Sequence, residues 1–320
     1  MSKTKTTILI IAIILLIVGV IVCFCAATAM GFDFKKFATS KYITNEHKIS
    51  DDFTKISVET DTADVIFALS EDGEGRVVCY EKENLVHTVE IKDGTLVIKV
   101  KDERKWYQFI NINTASMSVT VHLPKEQLDL IKAETDTGEI ELHKGLSFDK
   151  AELDTDTGDI TVLADIKALD AATDTGRIKI NSVNIDNANI ETDTGNVTMD
   201  KIELSSLSIS VDTGKVRLDN VNADVNIRIE SDTGDIDLKN VITTDTMLIE
   251  SDTGDVSLNL CDSADISIKT STGDVSGTLL TPKMFSHKTS TGDVDLPEPE
   301  AGGKCRIVTS TGDIEMRIAK

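Results

Sequence analysis

At 320 residues the chain is long enough to bury a sizeable core, yet aromatics make up only 4% of it, which suits thin cores without room for large rings. A net charge of -22 argues against a nucleic-acid partner, whose phosphates would be repelled. It also disfavours direct contact with anionic lipid or an anionic wall polymer unless divalent cations bridge the two.

The first element in chain order is an apolar run. Ile8 to Ala29 is almost wholly apolar and carries no charge. At about 1.5 Å per residue it can cross a hydrocarbon core of about 30 Å. Lys3 and Lys5 precede it, which predicts a cytoplasmic N-terminus; Lys35 and Lys36 beyond it weaken that bias. The expected layout is a short cytoplasmic N-terminus (1–7), a transmembrane signal-anchor helix (8–30) and a linker (31–48), with the C-terminal domain outside a single-pass cell membrane. Ala27-Thr28-Ala29 has the small residues of a cleavage site, but the run is longer than a signal-peptide core, so an uncleaved anchor is the expectation. Val22 and Phe24, before Cys23 and Cys25, are too large for a lipoprotein-processing site.

Residues 49–130 read as a β-rich N-terminal cap with the first coils. Ile56 to Val65 is a degenerate copy of a motif that recurs later, with Ala63 where glycine belongs. Asp93-Gly94 between two alternating runs predicts a tight hairpin turn. Trp106, Tyr107 and Phe109 form the one aromatic cluster outside the anchor and are read as core filling of the cap.

Residues 131–320 are built from one repeat. Gly138, Gly158, Gly176, Gly195, Gly214, Gly234, Gly254, Gly273, Gly292 and Gly312 each follow a threonine and stand 18 to 20 residues apart. Such a period marks a solenoid, in which no coil buries its apolar face alone. Apolar residues stand two and four after nearly every glycine, and five and seven before it, a period-two alternation on both sides. The prediction is an all-β fold: a parallel β-solenoid (β-helix) of about ten coils of 19–20 residues, with a β-rich cap, preceded by one transmembrane helix. The glycine is expected at a corner needing positive φ. Three before it stands Thr or Ser in every coil but one, where Val211 replaces it; these inward hydroxyls are expected to bond one another along the stack. His287 is the odd member of an inward row and is read as a satisfied core histidine. The C-terminal end shows no evident cap.

Acids crowd the glycine corner. The candidate partner-binding surface is Glu134, Asp136, Glu139, Asp154, Asp156 and Asp159, with Glu230, Asp232, Asp235, Glu250, Asp252 and Asp255. Three readings stay open: turn propensity on a solvated corner, calcium held by stacked carboxylates, and an acidic stripe for a cationic peptide or basic domain. No catalytic, cofactor or metal residues are assigned. Cys79, Cys261 and Cys305 are widely spaced, and His47, His87, His122, His143 and His287 show no metal-ligand spacing.

The Asp-Gly hairpin at 93–94, the segment Val121-His122-Leu123-Pro124 and the serial Thr-Gly-Asp-Val/Ile motifs, as at 253–256 and 291–294, resemble the bacterial “putative adhesin” family of β-strand-repeat proteins over roughly 45–320. The resemblance implies a cell-surface sensing, scaffolding or adhesion role; members with one N-terminal membrane segment look like Gram-positive envelope proteins, some tied to envelope stress. It supplies no catalytic residues. The expected function is a non-enzymatic, membrane-anchored interaction platform with a protein or cationic-peptide partner and possible glycan contact. The alternatives are a calcium-stabilised surface rod and an enzyme acting on envelope polysaccharide.

Overall fold

The computed structural model describes residues 3–29, 41–102, 116–298 and 301–320. The aromatic cluster Trp106, Tyr107 and Phe109 lies outside them. Residues 1–43, 82–85 and 102–115 cluster as one compact unit, and 44–81, 86–101 and 116–320 as a second.

The first unit holds a helix, α1 (Lys3–Ala29). Its side chains are described at 12–22 and at Phe24, Cys25 and Thr28. Among the described residues no helix is long and apolar enough to cross a membrane, and the span expected over 8–30 lies partly outside them.

The second unit is β throughout. Its strands begin with β1 (Tyr42–Ile49), β2 (Lys55–Thr60), β3 (Ala63–Leu69), β4 (Gly75–Lys82), β5 (Leu85–Lys92), β6 (Thr95–Asp102) and β7 (Met117–Leu123). The regular coils follow: β8 (Gln127–Thr137), β9 (Ile140–Leu142), β10 (Ser147–Thr157), β11 (Ile160–Val162), β12 (Asp165–Thr175), β13 (Ile178–Thr194), β14 (Val197–Thr213) and β15 (Val216–Thr233). The remainder are β16 (Ile236–Thr243), β17 (Thr246–Thr253), β18 (Val256–Cys261), β19 (Asp265–Thr272), β20 (Val275–Leu279), β21 (Lys283–Lys288), β22 (Val294–Asp295), β23 (Gly303–Thr311) and β24 (Ile314–Ile318). Each coil pairs in parallel with its neighbours, so Leu153 lies between Ala133 and Ala171 and every inward row stacks on itself. The protein is a parallel β-solenoid, and the apolar rows on both sides of the corner are buried from Ile131 to Met316 except in one coil.

The corner glycines owe their identity chiefly to a close approach. A Cβ built on Gly195 would lie 1.6 Å from the carbonyl oxygen of Gly176, and one on Gly158 would lie 1.9 Å from that of Gly138. Positive φ, the expected reason, applies from Gly214 onward, where φ is 152°. Ala63 marks the corresponding corner of the first coil: its carbonyl faces Gly138, whose added Cβ would lie 2.3 Å away. The Asp93-Gly94 turn is as expected, with φ of 49° and 72° as a type I′ turn requires.

The inward hydroxyls do not bond one another. Several donate across to the corner carbonyl of the adjacent coil: Thr155 Oγ1 to Gly138 at 3.1 Å, Thr173 Oγ1 to Gly158 at 3.1 Å, Thr192 Oγ1 to Gly176 at 3.4 Å. A second corner recurs in five successive coils. Ser182, Lys201, Asn220, Asn240 and Leu260 all take φ between 52° and 57° there, and Asn240, Asn220 and Asp200 link side chain to side chain along it.

Both ends depart from sequential stacking. At the start, β2 sits between β6 and β8, and β3 between β7 and β9, so the first coil is interior and a later segment covers it. At the other end β19 pairs with β23, and β23 in turn with β21; β20 pairs with β24, and β24 with β22. The coil of Gly312 therefore inserts between those of Gly273 and Gly292. Two side-chain bonds record the same order: Thr309 Oγ1 donates to Gly273 O and Thr289 Oγ1 to Gly312 O. The inserted coil presents Cys305, Ile307, Ile314 and Met316 to the core, all buried. The displaced coil would present His287, whose ring would lose water without gaining partners. It lies outermost among the described coils instead, so His287 is exposed, contrary to the expected core histidine.

Candidate functional site

The twelve acidic residues divide into two groups with different tasks. Those directly after the glycine serve the backbone. Asp159 Oδ1 accepts the N–H of Arg177 at 2.8 Å, and Asp235 Oδ1 that of Asp255 at 3.3 Å. Asp255 Oδ1 accepts the N–H of Asp274 at 2.9 Å. Asp64 does the same for Glu139 at 3.0 Å, so this ladder begins at the first coil. Asp159 also holds the Arg177 guanidinium at 2.6 Å, and Lys215 reaches Asp235 at 2.7 Å. Burial raises the Asp159 carboxyl, but the Arg177 bonds outweigh it and hold it below its ordinary value. Glu139 is pushed up, by burial and then by Asp64 and Asp159.

The residues two and four before the glycine face outward, because the strand alternates. Asp136, Asp156, Asp232 and Asp252 are exposed. Glu134 lies in register with Asp154, and Glu230 with Glu250. Two shallow depressions form around these pairs. One, of about 340 Å³, is lined by Glu134 and Asp154 together with Glu152, Asp170, Glu191 and Lys132. The other, of about 260 Å³, is lined by Glu230, Asp232, Glu250, Asp252 and Lys269. Asp154 is pushed up, by burial first and then by Glu134, Asp156 and Asp174. Each depression contains a basic group: Lys132, 2.6 Å from Glu134, in the first and Lys269 in the second, beside which Arg228 pairs with Glu230. Between them runs a groove of about 470 Å³ lined by small side chains such as Ala168, Asn187, Ser206 and Ser208, with Lys150 and Arg228 in its wall. Glu152 and Asp170 were missed in the sequence, although they stand six before their glycines and the same alternation places them outward.

A second cluster was not legible at all. Cys79 and Glu81 on β4 and His87 on β5 bring their ligand-type atoms within 4.8 Å of one another, all buried. His87 Nδ1 meets Glu81 Oε2 at 2.7 Å, and its Nε2 meets Thr60 Oγ1 at 2.8 Å. Asn45 Nδ2 donates to Glu81 Oε1 at 2.6 Å, and the His87 N–H to Oε2 at 2.7 Å. Burial raises the Glu81 carboxyl, but these bonds outweigh it and keep it below the ordinary range. Burial, then the Glu81 charge, push the Cys79 thiol up to about 12. The hydroxyl–imidazole–carboxylate chain has no access to substrate.

Comparisons with known proteins bear on this geometry at the level of fold. No curated protein matches. A crystal structure of a putative adhesin from Parabacteroides distasonis ATCC 8503 superposes with a TM-score of 0.51 at 13% identity, covering 87% of this chain and 98% of its own. A putative adhesin from Parabacteroides merdae ATCC 43184 gives 0.43 at 12% identity, over 88% and 98%. A structure titled putative lipid binding protein, from Parabacteroides distasonis ATCC 8503, gives 0.41 at 16%, over 88% and 98%. The family profile described as Toastrack DUF4097 matches residues 53–317, and the chain belongs to that family.

Proposed function

We propose that the protein is a non-enzymatic, membrane-anchored, extracytoplasmic interaction platform, adhesin-like in role and working in the cell envelope. The observation that carries this reading is the pair of acidic depressions on the solenoid face, where carboxylates of successive coils gather outside the corner ladder. The names of the structural neighbours point the same way. The apolar run 8–29 would serve as the anchor. The partner chemistry is a basic protein segment or cationic peptide, which the net charge of -22 would attract at low salt.

In-cell crosslinking of the anchored protein, with and without an envelope-targeting antibiotic, followed by mass spectrometry, tests the reading directly. Crosslinks from the depressions to one envelope protein support it; crosslinks scattered over many proteins count against it. A second measurement uses a lysine-rich peptide as probe at low salt. The double variant Asp232→Asn, Asp252→Asn should bind it several-fold more weakly with an unchanged melting temperature, and unchanged affinity would sink the assignment of this face.

A further inference from the structure

We propose that Cys79, Glu81 and His87 form a structural site for a thiophilic divalent cation of the zinc type, closed inside the N-terminal part of the solenoid. Thiol, imidazole and carboxylate are the donor types such a cation takes. Cys79 and Glu81 stand two apart on β4, so both side chains leave the same face, and β5 returns His87 to that point. All three are buried, with their donor atoms within 4.8 Å of a common neighbourhood. Tetrahedral zinc, with bonds of about 2.0–2.3 Å, sets donors roughly 3.3–3.8 Å apart. The cluster reaches that by opening the His87–Glu81 contact slightly and drawing in the sulphur. Cys79, His87 and one Glu81 oxygen supply three donors, and a water would take the fourth position.

The surroundings match a metal site in a second way. Metal-bound imidazoles ordinarily have their other ring nitrogen fixed by an outer partner. Thr60 Oγ1 holds His87 Nε2, which directs Nδ1 toward Glu81, and Asn45 orients Glu81 from outside. Cys79 packs in the inward row of β4 opposite Val119, and its sulphur is also the donor a soft cation needs. Binding would displace the thiol proton to solvent, with the single proton of a neutral His87 on Nε2 facing Thr60 Oγ1 and Nδ1 free for the ion. The bound ion would tie β4 and β5 to β2, where Thr60 sits. All three ligand residues are buried away from any substrate, and catalysis is not implied.

The test uses the full chain, purified reduced and loaded with Co²⁺ or Zn²⁺. One cobalt per chain should bind with a thiolate-to-cobalt charge-transfer band. Cys79→Ser should abolish the band, whereas Cys261→Ser and Cys305→Ser should keep it. Thr60→Val, nearly isosteric, should weaken cobalt binding about 10- to 100-fold through loss of the outer partner. X-ray absorption of the zinc-loaded wild-type chain reads the donors without any variant, so the test survives a Cys79→Ser chain that fails to fold. One sulphur among nitrogen and oxygen donors supports the site. An all-oxygen shell, marking ions on the acidic face, or far less than one metal per chain overturns it.

Discussion

A single row of side chains, three before the glycine, carries two kinds of residue with opposite energetic signs. Thr155 donates to the Gly138 carbonyl, whereas Ser231, Ser251 and Thr270 have buried hydroxyl oxygens without a partner among the described residues. An unpaired buried hydroxyl costs stability, and a paired one contributes about 1 kcal/mol. Val211, in register with Ser231, shows that the row accepts an apolar side chain. Thr155→Val should therefore destabilise by about 1 kcal/mol and Ser231→Ala should stabilise by up to about 1 kcal/mol. Urea unfolding of both variants checks the pair; equal effects of the same sign would refute the accounting. This row was half legible in the sequence. Alternation revealed its direction, but the identity of the acceptor depends on how coils stagger, which no spacing encodes.

At the scale of the element, the period says that coils stack and is silent on their order. Ten similar Thr-Gly corners are nearly interchangeable in sequence, so the displaced coil at residues 283–295 could not be read from motif alone. His287 was the visible sign, since a basic ring does not fit an inward row otherwise apolar. The order is directly testable. Ser267 lies in register with Arg306, and Ser286 with Arg306 on the far side. Adjacent strands are about 4.8 Å apart, within reach of a disulfide, and strands two apart are not. Ser267→Cys with Arg306→Cys should crosslink on oxidation, while Ser267→Cys with Ser286→Cys should not; the reverse result would restore sequential stacking. Cys79, Glu81 and His87 escaped the sequence for a related reason. Their proximity is created by the return of β5, and their spacing matches no familiar ligand motif.

For the molecule as a whole, the acidic surface has a stability cost that differs from one carboxylate to the next. The folded protein raises Asp154 and lowers Asp159. The contribution of Asp159 is present above its ordinary value of 3.8 and is lost as pH falls below that through its folded value. Ionised Asp154 has the opposite sign: it costs stability above its raised folded value, and acidification through that value relieves the cost. At pH 7, Asp154→Asn should raise the melting temperature and Asp159→Asn should lower it, with both differences shrinking at about pH 2. Matching shifts in one direction would show that total charge, and not position, governs the response. The inserted coil also bears on how the solenoid is made. Residues 283–295 leave the ribosome before 303–318, yet they finish outside them. Vectorial synthesis thus offers the waiting edge of β19 first to the coil that must not keep it. Assembly of this end cannot proceed as a simple zipper. The early arrival must either stay undocked or yield its place, and a chain truncated before residue 303 would leave β19 without its native neighbour.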